Sequence, residues 1–507
     1  DLVEAVVDTN VFLPAMFSIT VNDEFNDSSG KLAYTDTDML KVGAEVKIEI
    51  ETDEIPDEPF PVKSTLIVGE ITAIEPAFGD DGVPLLCVRG FDRSHRLTRG
   101  KKTRTFGDAN PTGSGITDEQ IINTIVRETD SITSAKVDTS GLSGVKYYYV
   151  LQNNQSDFEF LWSRAKLLGY QLYVEDKTLH FDKADAQRGN ESSGPAALLW
   201  PLNLGSFEPR QSLMHQVQQA VAIGWDPATK QSIESIKKAD SSSLVPKIGL
   251  NAKGSAQSKQ AFKDVAQDVV VNHPLAIVDE AAVIAQSRFT AAESVFVQAE
   301  GVSRQGDPRL IAGRSVTIDG VGERFSGDYY VTEARHVYSG GTYSVNFSVT
   351  GRQPNTLSHL IVGSDRSDPG LISGVVIGKV TNLEDPEELG RVQVLFPWLP
   401  KYKDADLSSN WARLASPMAG SGRGMLFTPE VDDEVLVAFE HGDPSHPYVV
   451  GALWNAKDMP PAGTAKVLAD DKKKVNQRIL RSRSGHLIIL DDTEGEEQII
   501  IQDKTEK

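Results

Sequence analysis

Three stretches hold residue types that can do chemistry. HGDPSHP puts His441, Asp443 and His446 within six residues, and imidazole and carboxylate are donors that zinc accepts. The stretch has no third histidine and has two prolines between strand-like runs, so it reads as a turn. AGSGRG, with Gly420, Gly422 and Gly424, has the glycine content of a phosphate loop. Such a loop needs a strand before it, a helix after it and usually a lysine, and here MLFTP follows. Glu384–Glu388 has the charge of a calcium loop without the ligand spacing of one, and reads as a hairpin tip closed by Gly390. The chain has neither a G-x-S-x-G elbow nor an H-E-x-x-H pair. With 72 carboxylates, an acid/base pair is found anywhere by chance. The reading is a chain that is not an enzyme, with no metal and no cofactor.

All three stretches fall between Gly370 and Pro461. Segments such as Arg391–Phe396, Glu434–Phe439 and Tyr448–Leu453 mix β-branched and aromatic residues and are bounded by Gly, Pro, Asp and Asn, the pattern of strands joined by tight turns. About five such strands in roughly ninety residues predict a small closed barrel of the OB type.

At 507 residues the chain holds about three or four domains. Its 51 basic and 72 acidic residues give a net charge of −21, which repels a nucleic-acid backbone; the basic runs Arg93–Arg104 and Lys472–Lys474 read as solvated surface. The single cysteine, Cys87, rules out an internal disulfide framework and reads as a small buried hydrophobe. No run reaches the roughly twenty apolar residues of a membrane-spanning helix. The start, DLVEAVVDTN, lacks the basic flank of a signal peptide; without an initiator Met, it is expected to be part of a longer chain.

From Val11 to Asp92 the pattern is β, with Val46, Ile48 and Ile50 alternating with charged residues. Two helices follow with capping boxes, Thr117 with Gln120 and Ser156 with Glu159, and Gly169 is placed to end the second. YQLYVEDKTLHF reads as a hairpin turning at Glu175-Asp176-Lys177. Residues 226–260 are Ser/Lys-rich and polar, the composition of an exposed excursion. A helix from Asp279 to Ala291 leads into a second β-region. At the end, Leu487–Leu490 and Ile499–Ile501 are apolar strands whose two faces are both apolar, and a lone hairpin of that kind needs partners.

DPEELGRVQVLFPW, Trp411 and GSGRGMLFTPEVDDEVLVAFEHGDPSHPYVVGALWN resemble the OB-fold segment of VgrG-type spike proteins and of related spike proteins of contractile phage tails. The residues carrying this are Gly390, Arg391, Phe396, Trp398, Trp411, Gly424, Asp443, Pro444, Pro447 and Gly451. QNNQSDFEFLWSRAKLLGYQLYVEDKTLHF and AEGVSRQGDPRLIAGRSVTIDGVGERFSGDYYVTEARHVY resemble the hub of the same proteins, and SGHLIILDDTEGEEQIIIQDKTEK the start of their needle. The resemblance implies a mainly β, multidomain fold: a first hub barrel (1–100), an α/β hub subdomain (101–197), a second hub barrel (198–354), a linker (355–369), the OB-fold (370–456), a linker (457–478) and the start of a trimeric β-prism or β-helix needle (479–507).

The same resemblance implies the central spike of a contractile injection machine. It would be a homotrimer meeting a hexameric inner tube or tube-initiator protein, baseplate proteins, a PAAR-type tip protein, effector cargo and, transiently, a target membrane. Leu487, Ile488, Ile489, Leu490, Ile499, Ile500 and Ile501 would pack the trimeric needle. The hub wording is nearer to extracellular phage-tail-like injection systems than to type VI secretion or a phage tail, implying assembly in the bacterial cytoplasm followed by release. The linker after the OB-fold is too short for a lysozyme domain. Two rival classes are a glycan-degrading spike, which needs a cleft-bearing domain, and a nucleic-acid-binding OB protein, which needs a basic groove in place of Glu384–Glu388 and Asp432–Glu434.

Overall fold

The computed structural model describes residues 2–26, 29–52, 61–80, 82–110, 112–183, 194–238, 244–249, 253–352, 370–399, 407–461 and 467–505. They fall into two units: residues 1–372 with 401–403 and 440–445, and the remainder of the chain from 373 onward.

The first unit is built on a nine-stranded sheet in the order Leu204–Gln211, Val297–Ser303, Thr342–Val349, Glu333–Ser339, Leu2–Asn10, Met16–Asn22, Pro84–Asp92, Val62–Phe78, Glu45–Thr52. Every neighbouring pair is antiparallel. Leu2–Asn10 is the joint, since Val7 pairs with Phe17 on one side and with His336 on the other. The hydrogen bonding thus runs through the two β-regions that the sequence reading separates as barrels at 1–100 and 198–354. The physical reason is that an extended strand has two edges, and the second partner of Leu2–Asn10 lies more than 320 residues away, where no local signal reaches. Each half keeps its own core: Phe17, Ile71, Leu86 and Val88 on one side, Phe296, Leu310, Tyr329 and Phe347 on the other.

Between these halves lies an α/β layer. Helices α1 (Asp118–Arg127) and α2 (Asp157–Leu168) open on the two expected capping boxes, and Gly169 ends α2 in the left-handed conformation. They pack on strands Tyr170–Glu175, Thr178–Lys183 and Ser134–Val137 around Phe160, Leu172 and Phe181. The hairpin turns at Asp176 and Lys177, with Asp176 at φ 51°. Arg104, buried, donates to Gln152 Oε1 at 2.8 Å and to Asp157 Oδ1 at 2.5 Å, tying the Lys102–Phe106 strand to the start of α2.

The expected polar excursion at 226–260 differs from that reading. Its described residues form strand Gln231–Lys237 and helix α3 (Gly254–Phe262). The strand pairs with Gln219–Asp226, which also pairs in parallel with Gln267–Val270. One face of this small sheet packs on helix α4 (Val278–Ser294) through Ala222, Ile233, Val270, Ala281 and Ile284. A composition count misses this because a single buried residue, Ile233, anchors an otherwise polar strand.

In the second unit, a five-stranded sheet runs in the order Gln393–Leu395, Val375–Asn382, Glu434–Phe439, Pro447–Ala452, Arg413–Leu414. Bridges Val392–Ala412 and Leu395–Ser408 join its first and last strands, which closes the barrel and removes its edges. Val380, Val394, Phe396, Ala412, Val435 and Val437 fill it. Strands Gln477–Arg481, Leu487–Asp491 and Gln498–Gln502 form a separate antiparallel meander. Its first strand begins inside the expected 457–478 linker, while the 355–369 linker lies outside the described residues.

Candidate functional site

The three stretches first considered for chemistry are turns. Glu440–Gly442 is a single 3-10 turn with His441 at φ 51°. The Asp443 amide donates to the Glu440 carbonyl at 2.9 Å, and the Ser445 amide to Asp443 Oδ1 at 2.8 Å. Pro444, Ser445 and Pro447 are buried, and the Leu151 amide donates to Ser445 Oγ at 3.2 Å. AGSGRG is a two-residue hairpin, Ala419 pairing with Gly424 and Gly420 with Arg423. At Gly424, a Cβ would stand 2.5 Å from the Met418 carbonyl oxygen, so only glycine closes the hairpin. Among the described residues, no three His, Cys, Asp or Glu side chains converge as a metal site.

The acidic tip at 384–388 is organised by Asp385, which points inward against Arg391, and Gly390 turns the chain back at φ 72°. Phe396 lies in the barrel core, its ring 5.6 Å from Trp398 and from Phe439. Trp398 is half exposed while its indole Nε1 donates to the Ile377 carbonyl at 3.0 Å. Trp411 is buried at the closing seam and Gly451 sits at the surface. Sequence reasoning missed Ser409, which is fully buried and joins the seam: the Val394 amide donates to its Oγ at 3.0 Å, and its own amide donates to the Val394 carbonyl at 2.7 Å. A lone serine in a loop carries no signal for that role.

The remaining candidate surface is apolar. Across the meander, Ile488 lies opposite Ile501 and Leu480, and Leu490 opposite Ile499. Opposed residues share a face, so Leu480, Ile488, Leu490, Ile499 and Ile501 line one side, with Arg478 opposite Leu490 at its border and paired with Asp492; Ile499 and Ile501 are 72% and 76% exposed. Leu487, Ile489 and Ile500 lie on the other, half-buried side. Around the barrel, Leu389, Leu426, Phe427, Val431 and Trp454 are also exposed. Scattered apolar residues are ordinary, but contiguous patches of this kind mark interaction surfaces.

A family model described as the Alg8 N-terminal domain matches residues 9–339, about two thirds of the chain. The chain belongs to this family. A second model, described as the type VI secretion system/phage-baseplate injector OB domain, matches residues 376–454, the closed barrel. Similar proteins include the actin cross-linking toxin VgrG1 of Vibrio cholerae, 30% identical over 169 residues, which covers 32% of this chain and 14% of that protein. The type VI secretion system spike protein VgrG3 of Vibrio cholerae is 32% identical over 139 residues, covering 26% of this chain and 13% of that protein. The matched part thus spans about one seventh of each of these two relatives. In fold, it superimposes on the E. coli c3393 protein, a type VI secretion component structurally similar to T4 tail proteins gp27 and gp5, with TM-score 0.50, 13% identity and coverage of 89% of this chain and 97% of that one. The closed barrel is thus of the type VI secretion/phage-baseplate injector OB kind, and the chain is similar to VgrG spike proteins over about a quarter to a third of its length. No helix among the described residues is long and apolar enough to cross a membrane.

Proposed function

We propose that the chain is the central spike of a contractile injection machine, acting as a homotrimer and without catalysis of its own. The observation that carries this reading is the apolar face of the meander, which one copy leaves open to water. Three copies turning Leu480, Ile488, Leu490, Ile499 and Ile501 inward would bury it, at roughly 1.5–3 kcal/mol for each large side chain. A sheet closed on itself in this way has no edge to fray under load. The hub agrees: among the described residues, Glu45–Thr52 and Leu204–Gln211 each take a strand partner on one side only, so the sheet has two edges available for neighbouring copies.

In this reading the hub meets the inner tube or its initiator protein and the baseplate, the OB barrel narrows the assembly, and the meander begins the needle beneath a PAAR-type tip. Sheath contraction would drive the assembly, with any effector cargo, through a target membrane. The finer reading is an extracellular phage-tail-like system, with type VI secretion and a phage tail as alternatives, and it rests on the hub segment QNNQSDFEFLWSRAKLLGY. Assembly would occur in the bacterial cytoplasm. The test is the mass of the purified chain in solution, with and without residues 477–505. A trimer that is resistant to heat and detergent, and loses that resistance on truncation, is expected; a chain that stays single at all concentrations overturns the reading.

A further inference from the structure

The small sheet of Gln219–Asp226, Gln231–Lys237 and Gln267–Val270 has a helix on one face only. The face turned to α4 holds Ala222, Ile233 and Val270. By register the other face holds Val221, Ile223 and Trp225 of the central strand, with Ile236 and Val269 on either side of Val221. Val221 is buried, whereas Ile223, Trp225, Ile236, Val269 and, just past the strand end, Val271 are between 37% and 55% exposed. A sheet face left to water carries polar side chains as a rule. Here Gln219, Ser232, Glu234 and Gln267 share the face with a run of large apolar ones, and contiguous patches of that kind mark interaction surfaces.

Lysines stand at both ends of this strip. Lys238 follows the Lys237–Ala220 pair, and Lys263 closes α3 shortly before Gln267, so both belong to the end of the sheet where Gln219 pairs with Gln267. Lys230 lies in the turn at the opposite end, between Asp226 and Gln231. All three are exposed, and no ion pair joins them to a described carboxylate. Two of the neighbouring carboxylates are engaged: Asp226 accepts from the Ala228 amide at 2.9 Å and the Thr229 hydroxyl at 2.6 Å, and Asp268 pairs with Arg288 at 3.4 Å. Glu234 on the face and Asp264 beside Lys263 remain. Lysine thus prevails at the rim although the chain carries a net charge of −21. An apolar centre with a charged rim is the anatomy of a protein interface.

The dimensions of the strip select its occupant. Three strands at about 4.8 Å spacing span roughly 10 Å, the width of one helix with its side chains. The eight residues of Gln219–Asp226 run for about 26 Å, the length of about seventeen helical residues. The covered face obeys the same measure, since the single helix α4, of 17 residues, packs on it. We propose that the open face seats one amphipathic helix of a partner protein, apolar along its centre and acidic at its rim. The partner helix would complete a helix–sheet–helix layer, its apolar stripe burying Trp225 and its neighbours while its carboxylates meet Lys230, Lys238 and Lys263. This site uses neither the meander nor the open edges of the nine-stranded sheet, so it stands apart from the trimer reading.

The experiment titrates the full chain into a dye-labelled amphipathic peptide of about eighteen residues, with leucines on one face and glutamates flanking them, and into its twin with lysine at every glutamate. Fluorescence anisotropy is read at about 0.15 M salt, where charges more than about 8 Å away are screened and the rim outweighs the net charge. The acidic peptide should bind at least about tenfold more tightly than its twin. Trp225→Ser with Ile236→Ser should weaken that binding by about tenfold or more, and Lys230→Glu with Lys238→Glu and Lys263→Glu should reverse the preference between the twins. Every altered side chain is exposed, and circular dichroism checks that each variant folds. No saturable binding, equal binding of the two peptides, or binding untouched by the Trp225 and Ile236 changes overturns the proposal. Two further results do the same: a self-association lost in the Trp225→Ser, Ile236→Ser variant assigns the face to a second copy, and sedimentation with phosphatidylserine vesicles lost in the lysine variant assigns it to lipid. A wild type that stays single yet binds the acidic peptide sinks the trimer reading and leaves this one standing.

Discussion

Arg391 grips Asp385 with two nitrogens, Nε at 3.0 Å from Oδ2 and Nη2 at 2.5 Å from Oδ1. The amides of Glu387, Leu389 and Arg391 donate to the same carboxylate at 3.1, 2.9 and 3.2 Å. The acidic tip of the barrel is thus folded around its own most buried charge, with the Asp385 side chain 3% exposed.

Removing that carboxylate should unfold the tip. Burial alone would raise the Asp385 pKa, but the hydrogen bonds from Arg391 and from the Glu387 and Arg391 amides outweigh it and hold the group below the usual carboxylate range. Asp385→Ala leaves three amides without their acceptor and Arg391 with Glu387 alone, and should cost about 2–3 kcal/mol in urea unfolding at pH 7. Because the folded-state pKa is depressed, this contribution is complete above the unfolded value of 3.8 and is lost as pH falls through the folded value. The gap between wild type and variant should therefore close in acid; a gap that is constant down to pH 2 counts against the carboxylate as its source.

The two faces of the meander should respond differently to a charge. Ile499 and Ile501 project from the open face and Ile500 from the other. Ile499→Asp with Ile501→Asp should leave the secondary structure of a single copy unchanged, since both side chains already meet water. It should abolish assembly, because six carboxylates would be buried together on a face whose only described cation, Arg478, already pairs with Asp492. Ile500→Asp is the contrast, altering the half-buried face. Light scattering and circular dichroism separate the outcomes.

Local signals were legible in the sequence where a few neighbouring residues decide the structure. The capping boxes at Thr117 and Ser156, the left-handed Gly169 and the turn at Asp176 are each fixed by hydrogen bonds or sterics within four residues, and the structure has them in place. The OB barrel was legible through its turns. What could not be read was pairing between distant strands: nothing near Val7 announces His336. Nor does the sequence mark Leu480 as a member of the apolar face, because the short pair Ile479-Leu480 sits between Arg478 and Arg481 and its membership depends on lying opposite Ile488.

Stability should fall on mild acidification through His336. It is buried in the nine-stranded sheet with Nδ1 2.8 Å from Tyr343 Oη, and desolvation pulls its pKa down to about 4, despite the Leu310 carbonyl favouring the charged form. The unfolded chain binds this proton near pH 6.5, so between roughly pH 6.5 and 4 the unfolded state holds more protons and stability drops by about 3 kcal/mol. Asp8 and Glu333, whose carboxyls burial pushes up, act with the opposite sign and are common to both proteins compared. His336→Leu should therefore lose the slope between pH 6.5 and 4 in urea unfolding, while a slope equal to that of wild type would assign the titration elsewhere.

Helix α3 should come loose when Glu293 is neutralised by truncation. Only Gly254 and Ser258 of α3 are buried, and Phe262 at its end is 60% exposed, so apolar packing contributes little. Polar bonds hold it instead. Glu293 Oε1, from a side chain 1% exposed, accepts from the Ser255 amide at 2.8 Å, placing a carboxylate at the positive end of the helix. Gln218 donates to the Ser255 carbonyl at 3.0 Å and accepts from the Ala266 amide at 2.6 Å. Glu293→Ala removes the acceptor and should lower the free energy of local opening by about 1–2 kcal/mol. Trypsin cleavage after Lys259 and Lys263 should then accelerate by roughly tenfold, with cleavage at lysines elsewhere unchanged. Glu293→Gln keeps an acceptor oxygen and should fall between the two. Equal cleavage rates in wild type and Glu293→Ala would mean that the helix is held by something other than this carboxylate.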